Sequence, residues 1–190
     1  MRIDPPADPR RLVAYPLVSE WPIEMTDALY FEQVEVGQQW ISPARTVTET
    51  DVVNFACLTG DFDPLHVDHE TARGSAFGKP IAHGLLGLSL VAGLSIACPR
   101  MSTAAFVAIR DWKFLKPIFF GDTVHVVCEV IEKNPSGRRR GQIIWKRQLV
   151  NQHGEVVQEG ILETLVNLAE PLGKSPNGAA PAGPTSEPLS

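Results

Sequence analysis

One acidic segment of this 190-residue chain carries the side chains best suited to chemistry. It reads TGDFDPLHVD over residues 59–68, and it places Asp61 five positions before His66 across a proline turn. Such a turn can bring a carboxylate and an imidazole to one point, where both can bind the same water molecule. A pair of this kind takes a proton from the water and returns one, which is general acid–base catalysis.

The apolar segment that follows adds a second chemical feature. Its composition predicts one helix over Ile81–Ala97. The backbone N–H groups at the start of that helix, around Gly84, have no intrahelical partner and lie at the positive end of the helix dipole. Such donors stabilise a developing oxyanion, for example a thioester oxygen that becomes an enolate. A base, a water molecule and oxyanion donors together would add or remove water beside a carbonyl group.

Spacing alone is a weak signal for this chemistry. Loops that carry aspartate and histidine are common, and an ordinary turn with a capping aspartate and a solvated histidine is the more frequent outcome. The elements around the segment and a family resemblance therefore have to decide between the two interpretations.

A short helix is predicted directly before the acidic segment. Apolar residues recur at helical spacing in TVTETDVVNFACLTGD, residues 46–61. Thr48 and Asp51 are spaced as a capping box, and Gly60 is a suitable residue to end the helix. Asp61 and His66 are therefore expected on an irregular segment that leaves this helix.

Strand-like runs follow the long apolar helix. They are rich in β-branched and aromatic residues, are separated by turn signals, and cover residues 104–120, 122–133, 140–152 and 155–168, with one further run at 38–47. A helix that is apolar on every side must be wrapped on most sides. We therefore expect an α+β fold in which a curved antiparallel sheet wraps one long buried helix. Gly84, Gly87 and Gly93 would let the sheet approach that helix closely.

Composition limits the partners and the organisation of the chain. A net charge of −5 and a pI near 5.5 argue against a nucleic acid or an anionic membrane as partner. Residues 1–27 are predicted to be an irregular proline-rich arm, 28–168 the folded domain and 169–190 a disordered proline-rich tail. Cys57, Cys98 and Cys128 lie singly in apolar segments, which predicts buried free thiols and a cytoplasmic protein.

A membrane span is the one alternative for the long apolar segment. Ile81–Cys98 contains no charged residue and reaches the lower length limit for a spanning helix. It also contains His83, serines and glycines, and no basic cluster flanks it. A buried core helix is the favoured interpretation.

Three motifs resemble the MaoC-like dehydratases, which include the (R)-specific enoyl-CoA hydratases. They are GDFDPLHVD, FGKPIAHGLLGLSLVAGL and FLKPIFFGDTVHV, and the resemblance extends over about residues 30–168. It implies the hot-dog fold, in which a curved antiparallel sheet wraps a long helix. It also implies that Asp61 and His66 are the catalytic pair and that the N–H of Gly84 holds the thioester oxygen.

The resemblance implies a hydro-lyase of fatty acid metabolism that converts a 2-enoyl-CoA reversibly to an (R)-3-hydroxyacyl-CoA. The partner would be the acyl-CoA thioester itself. No metal or redox cofactor is implied, because coenzyme A belongs to the substrate. A homodimer or a higher homo-oligomer is expected, with the open sheet edge covered by a second copy.

Two positions depart from the family pattern. Asp63 stands where the family often has asparagine, and it either adds a charge beside the catalytic aspartate or caps the turn; the cap is favoured. Ala92 stands where short bacterial hydratases have serine, and Ser89 lies one turn earlier on the same helix face. Ser89 either substitutes for that serine or bonds its own helix backbone.

Other functions fit less well. A hot-dog thioesterase usually takes its carboxylate from the long helix, which has none here, and a non-catalytic acyl-CoA-binding subunit would lose the Asp61–His66 pair. A metal site built from the histidines and aspartates of the segment lacks the usual ligand spacing; its members would be His66, His69, His83, Asp63 and Asp68.

The remaining basic residues and histidines have simple interpretations. Arg138–Arg140 form a basic hairpin tip that either meets coenzyme A phosphates or is a solvated turn, and the turn is favoured. His125 and His153 are expected to be structural or exposed, His69 to be solvated, and His83 to hold the acidic loop at the helix start.

Overall fold

A six-stranded antiparallel sheet forms the body of residues 28–170, the part of the chain that the computed structural model describes. Five strands follow the order β1-β4-β5-β6-β3, and β2 pairs with β4 beside β1. The strands are β1 Gln39–Ile41, β2 Arg45–Thr46, β3 Thr103–Phe114, β4 Thr123–Ser136, β5 Arg140–Val150 and β6 Val156–Asn167. The predicted α+β antiparallel architecture is confirmed. The predicted arm, and the tail beyond residue 170, lie outside the described residues.

Helices lie between the two short first strands and the four long strands. They are α1 Glu49–Thr59, α2 Pro64–Val67, α3 His69–Arg73 and α4 Gly84–Leu94, and a 3₁₀ turn at Phe31–Gln33 precedes β1. No helix among these is long and apolar enough to cross a membrane.

The helix α4 packs its inner side on the sheet. Leu86, Leu90 and Val91 are buried in one core with strand residues such as Trp145 and Leu162. Burial of these apolar side chains is the main source of stability for the helix–sheet contact.

The long apolar helix is shorter and more exposed than the sequence predicted. Ile81 lies in an extended bridge with Phe119, and Ser95 caps the end of α4, so the predicted span Ile81–Ala97 is wrong at both ends. Within α4, Leu85 and Ser89 are exposed. The sheet therefore covers one face of the helix, and the prediction of wrapping on most sides is wrong for a single chain.

The predicted strand at residues 38–47 is divided into β1 and β2. Pro43 lies at the break and has no N–H to donate to a ladder. Ser42 bridges the interruption, because its Oγ accepts the N–H of Val126 at 2.8 Å. Both short strands therefore remain on β4.

The three cysteines are free, as predicted, but they are not all buried. Cys57 on α1 is exposed, Cys98 is partly buried and Cys128 on β4 is buried. The prediction is wrong for Cys57 because it lies on the outer side of α1, whose buried positions include Val52 and Ala56.

Candidate active site

Asp61 follows directly from the end of α1. Thr48 and Asp51 form the predicted capping box at the start of this helix. Gly60 ends it with a left-handed φ of 79° and donates its N–H to the carbonyl of Ala56. The chain then turns away, and the Asp61 side chain is 54% exposed at the mouth of a cavity.

His66 lies on the short helix α2 and not, as predicted, on an irregular segment. Asp63 caps this helix, because its carboxylate accepts the N–H of Leu65 at 2.8 Å, and Pro64 begins it. The favoured interpretation of Asp63 as a cap is confirmed. The cap and the proline direct the imidazole back towards Asp61.

The protonation of the His66 ring follows from its partner. Nδ1 lies 2.8 Å from the carbonyl oxygen of Ile81, and a carbonyl only accepts. The proton of a neutral ring is therefore on Nδ1, and the lone pair of Nε2 is left to accept a proton.

His83 lies below this pair as the N-cap residue of α4. Its ring centroid is 3.8 Å from that of His66, and its Nε2 lies 2.9 Å from the main-chain oxygen of Asp61. The expectation that His83 holds the acidic loop at the helix start is confirmed by this contact.

The start of α4 forms one wall of the site. The N–H groups of Leu86 and Gly87 bond the carbonyl of His83, and no side chain caps the helix. The earlier N–H groups, those of Gly84 and Leu85, belong to the first turn, where the helix supplies no acceptor. A Cβ on Gly84 would lie 2.9 Å from the Phe114 ring, so only glycine fits there without a shift.

Gln158 anchors this helix start from the sheet, and no motif pointed to it. The side chain is 2% exposed, its Nε2 donates to the carbonyl of Gly84 at 3.0 Å, and its Oε1 accepts from Trp112 Nε1 at 3.3 Å. Gly87 leaves the room, because a Cβ there would overlap the Gln158 amide. One pattern in the sequence could have identified it. Side chains of a strand alternate between its two faces, and Gln158 is a polar residue on the same face of β6 as apolar Leu162.

These groups surround one cavity of about 240 Å³. Its polar walls are Asp61, His66, His83 and the helix start at Gly84, and its apolar walls are Phe55 and Leu85. Single ligand atoms of Asp61, His66 and His83 all lie within 4.8 Å of one another. That distance leaves room for one water molecule between carboxylate and imidazole.

The same three residues could in principle ligate a metal. His83 Nε2, however, donates its proton to the Asp61 carbonyl, so this nitrogen has no lone pair for a metal ion. The other members of the predicted metal set are engaged elsewhere: Asp63 caps α2, Asp68 caps α3, and His69 pairs with Glu49 at 3.0 Å on the surface. The arrangement therefore suits a bound water better than an ion.

Ser89 and Ala92 lie on the open side of α4. Ser89 Oγ donates to the carbonyl of Leu85 at 2.9 Å, so it bonds its own helix backbone, but it is exposed rather than buried. Gly93 meets nothing within 4 Å, and its predicted role in close packing is wrong. Gly84 and Gly87 keep that role.

The basic tip Arg138–Arg140 lies away from the site. Arg140 pairs with Asn167 at the end of β6, whereas Gln158 lies near the start of the same strand. Nine residues of strand separate the two positions by about 30 Å. The tip is exposed, as the favoured interpretation expected.

The remaining histidines lie outside the cavity. His125 is buried in β4, where burial lowers the pKa of its imidazole, and His153 is exposed in the turn after β5.

An antiparallel sheet packed on one central helix, with a carboxylate and an imidazole beside the helix start, defines the class of protein. A structure from Mycobacterium tuberculosis with a double hot-dog fold superposes with a TM-score of 0.64 at 18% identity, covering 83% of this chain and 53% of that one. This similarity shows the fold alone, and it confirms the hot-dog prediction.

The family model described as the MaoC-like domain matches residues 32–150, and the chain belongs to this family. An (R)-specific enoyl-CoA hydratase of Rhodospirillum rubrum is 32% identical over 140 residues, which are 72% of this chain and 91% of that protein. Protein MaoC of Klebsiella aerogenes is 38% identical over 97 residues, 51% of this chain. The match spans only 29% of that relative.

A solved structure is similar over most of the described chain. It is the X-ray structure of a monoamine oxidase regulatory protein from Archaeoglobus fulgius, with a TM-score of 0.70 and 40% identity over 75% of this chain and 97% of that one. Names within the family thus include both an enzyme and a regulatory protein.

Proposed function

We propose that this chain is a hydro-lyase that reversibly adds water across the 2,3-double bond of a 2-enoyl-CoA thioester. One observation carries the proposal: the carboxylate of Asp61 and the imidazole of His66 share a cavity with the first turn of α4. The product would be a 3-hydroxyacyl-CoA. The Rhodospirillum rubrum relative supports (R)-stereochemistry.

The reaction begins with a water molecule held between Asp61 and His66. The pair removes one proton, with Nε2 of His66 as the acceptor, and the oxygen attacks C3 of the enoyl group. The electrons of the double bond move towards the thioester, and its oxygen becomes an enolate oxygen. The N–H of Gly84 stabilises that charge, aided by the dipole of α4. The pair then returns a proton to C2, so all atoms of the water enter the product.

The tautomer of His66 supports this assignment. Because Nδ1–H is committed to the Ile81 carbonyl, the ring faces its other nitrogen with a lone pair rather than a proton. The Asp61 carboxylate is exposed enough to meet water and substrate. The steps need no metal or redox cofactor, since coenzyme A enters with the substrate.

The assembly proposed is a homodimer or a higher homo-oligomer. β3 is the last strand at one sheet edge, and Phe106, Val107 and Ile109 on it are exposed. The outer side of α4 adds exposed Leu85, and exposed Ile96 follows the end of this helix. An edge strand of this length has unpaired backbone groups and exposed apolar side chains, and both favour pairing with a second copy. The free cysteines fit a cytoplasmic enzyme, and a role in fatty acid metabolism would follow from the substrate.

The test is a hydration assay on the purified chain. Crotonyl-CoA, long-chain, methyl-branched and dicarboxylic 2-enoyl-CoAs are compared by the loss of the conjugated thioester absorbance. Asp61→Asn is the matched control, because it keeps the shape of the side chain and removes the carboxylate. We expect turnover of at least one substrate by the native chain, and a loss of about 10² or more in Asp61→Asn.

The two alternative functions, thioesterase and acyl-CoA-binding subunit, give different results in the same assay. Release of free coenzyme A thiol without a 3-hydroxyacyl product would indicate a thioesterase. Binding of enoyl-CoA without turnover would indicate an acyl-CoA-binding subunit. Either result overturns the proposal, as does equal turnover by the native chain and Asp61→Asn.

A further inference from the structure

His83 contacts both members of the Asp61–His66 pair from a buried position. Its side chain is 3% exposed. Its ring packs on the His66 ring with centroids 3.8 Å apart and planes inclined by 32°, and Phe55 packs beside it at 5.1 Å. Its Nε2 lies 2.9 Å from the main-chain oxygen of Asp61.

The tautomer of His83 is set by these contacts. Nε2 carries the proton, because the Asp61 carbonyl can only accept. Nδ1 is buried and has no hydrogen-bond partner among the described residues. A second proton on Nδ1 would therefore have neither water nor an acceptor. The ring therefore presents its Nε2–H to Asp61 and its other nitrogen to the protein interior.

The pair is assembled from separate segments of the chain. Asp61 follows α1, and His66 lies on α2. Both are tied to the three residues before α4: His66 through the Ile81 carbonyl, and Asp61 through the His83 side chain. The same three residues lead directly to Gly84. One short segment thus fixes the carboxylate, the imidazole and the oxyanion donor relative to one another.

We propose that His83 is a positioning residue for this site: its Nε2–H holds the backbone of Asp61 so that the carboxylate meets the water that His66 deprotonates. The inference rests on the proposed hydration. It assigns to His83 a role in kcat rather than in substrate binding, because the ring is covered by His66 and Phe55 and does not itself transfer a proton. A misplacement of about 1 Å in such a site can cost about 10²-fold in rate.

Two substitutions separate the donor from the ring. His83→Phe keeps an aromatic ring against His66 and removes the N–H; it also removes the unpaired nitrogen, which favours folding. His83→Gln keeps an amide N–H near the position of Nε2 and removes the ring. His69→Gln is the matched control, because His69 is an exposed histidine whose partner is Glu49 on the surface.

We expect His83→Phe to lower kcat by about 10- to 100-fold, with KM within about threefold and an undiminished melting temperature. His83→Gln should recover at least part of the lost kcat, since it restores the donor. His69→Gln should behave as the native chain. In an Asp61→Ala background His83→Phe should cause little further loss, because the group that it positions is gone.

The outcomes distinguish a positioning role from a merely structural one. Native kcat in folded His83→Phe overturns the inference. So does a full additional loss in the Asp61→Ala background, or a kcat of His83→Gln no better than that of His83→Phe. Failure of the proposed hydration is seen in other measurements: the native chain would show no hydration, or the Asp61→Ala variant would turn over normally. Those results remove both proposals.

Discussion

The imidazole of His66 donates its Nδ1–H to the main-chain oxygen of Ile81 at 2.8 Å. The acceptor lies 15 residues further along the chain, in the extended segment that leads into α4. This bond fixes which ring nitrogen faces the cavity. It also links the residue that would deprotonate water to the helix start that would stabilise the enolate.

The first prediction concerns Asp61 and His66 as a unit. Asp61→Ala and His66→Ala should each lower kcat for hydration by about 10² to 10⁴, the usual contribution of a positioned acid–base group. Because both groups act on one water, the double variant should be little worse than the worse single variant. Losses that multiply instead would show that the two residues serve separate steps.

Asp63→Asn provides the control for that series. Asp63 caps α2 through the N–H of Leu65, and asparagine makes the same cap. Turnover should stay within a few-fold of the native value, as measured by the same absorbance assay. A large loss in this variant would transfer the catalytic role from Asp61 to the neighbouring carboxylate.

The second prediction compares two glycines of α4. A Cβ at Gly87 would overlap the buried Gln158 amide and lie 2.8 Å from Ile118 Cδ1, whereas a Cβ at Gly93 would meet nothing within 4 Å. Gly87→Ala should lower the free energy of unfolding by about 1–3 kcal/mol through overpacking. Gly93→Ala should raise it by up to about 1 kcal/mol through helix propensity.

Urea unfolding of both variants measures these changes. Gly87→Ala should also lower kcat, because the displaced Gln158 amide holds the Gly84 carbonyl. Equal stability of the two variants would contradict the close contact between helix and sheet at Gly87.

Local chemistry accounts for what the sequence could predict. The capping box of Thr48 and Asp51 and the stop at Gly60 depend on residues within one helix, so they are visible in the sequence. The same holds for Asp63 as a cap. Resemblance added that Asp61, His66 and Gly84 meet, and all three line the cavity.

Long-range contacts account for what the sequence could not predict. Ile81 is as apolar as the helix that follows, but its backbone pairs with Phe119, which no local pattern reveals. Gln158 reaches Gly84 across 74 positions of sequence. The exposed side of α4 could not be predicted for a related reason: the composition of an apolar helix does not show how many of its sides the sheet covers.

The third prediction concerns the thiols. Burial raises the pKa of Cys128 to about 11. At pH 8 only about one such thiol in a thousand would be ionised, and the thiolate is the reactive form. Iodoacetamide at pH 8 should therefore modify exposed Cys57 rapidly and Cys98, whose pKa burial also raises, more slowly. Cys128 should react only on unfolding.

Peptide mass spectrometry of the labelled chain identifies the modified residues. Cys57→Ser should abolish the rapid phase, and raising the pH towards 11 should increase the reactivity of any thiol that solvent reaches. Rapid labelling of Cys128 in the folded chain at pH 8 would contradict its place in the core.

The last prediction concerns the sheet edge. If β3 pairs with a second copy, light scattering should report a mass of at least twice the 20.8 kDa of one chain. Val107→Asp should lower that mass, because a charge on an apolar interface must be desolvated without a partner. Val36→Asp is the matched control: Val36 is 59% exposed, Val107 is 48% exposed, and Val36 precedes β1 at the opposite edge of the sheet. It should leave the mass unchanged.

Activity then tests whether assembly matters for chemistry, because the cavity residue Leu85 lies on the exposed side of α4. We expect turnover to fall with the mass in Val107→Asp. A stable monomer that retains full activity would show that the site is complete within one chain.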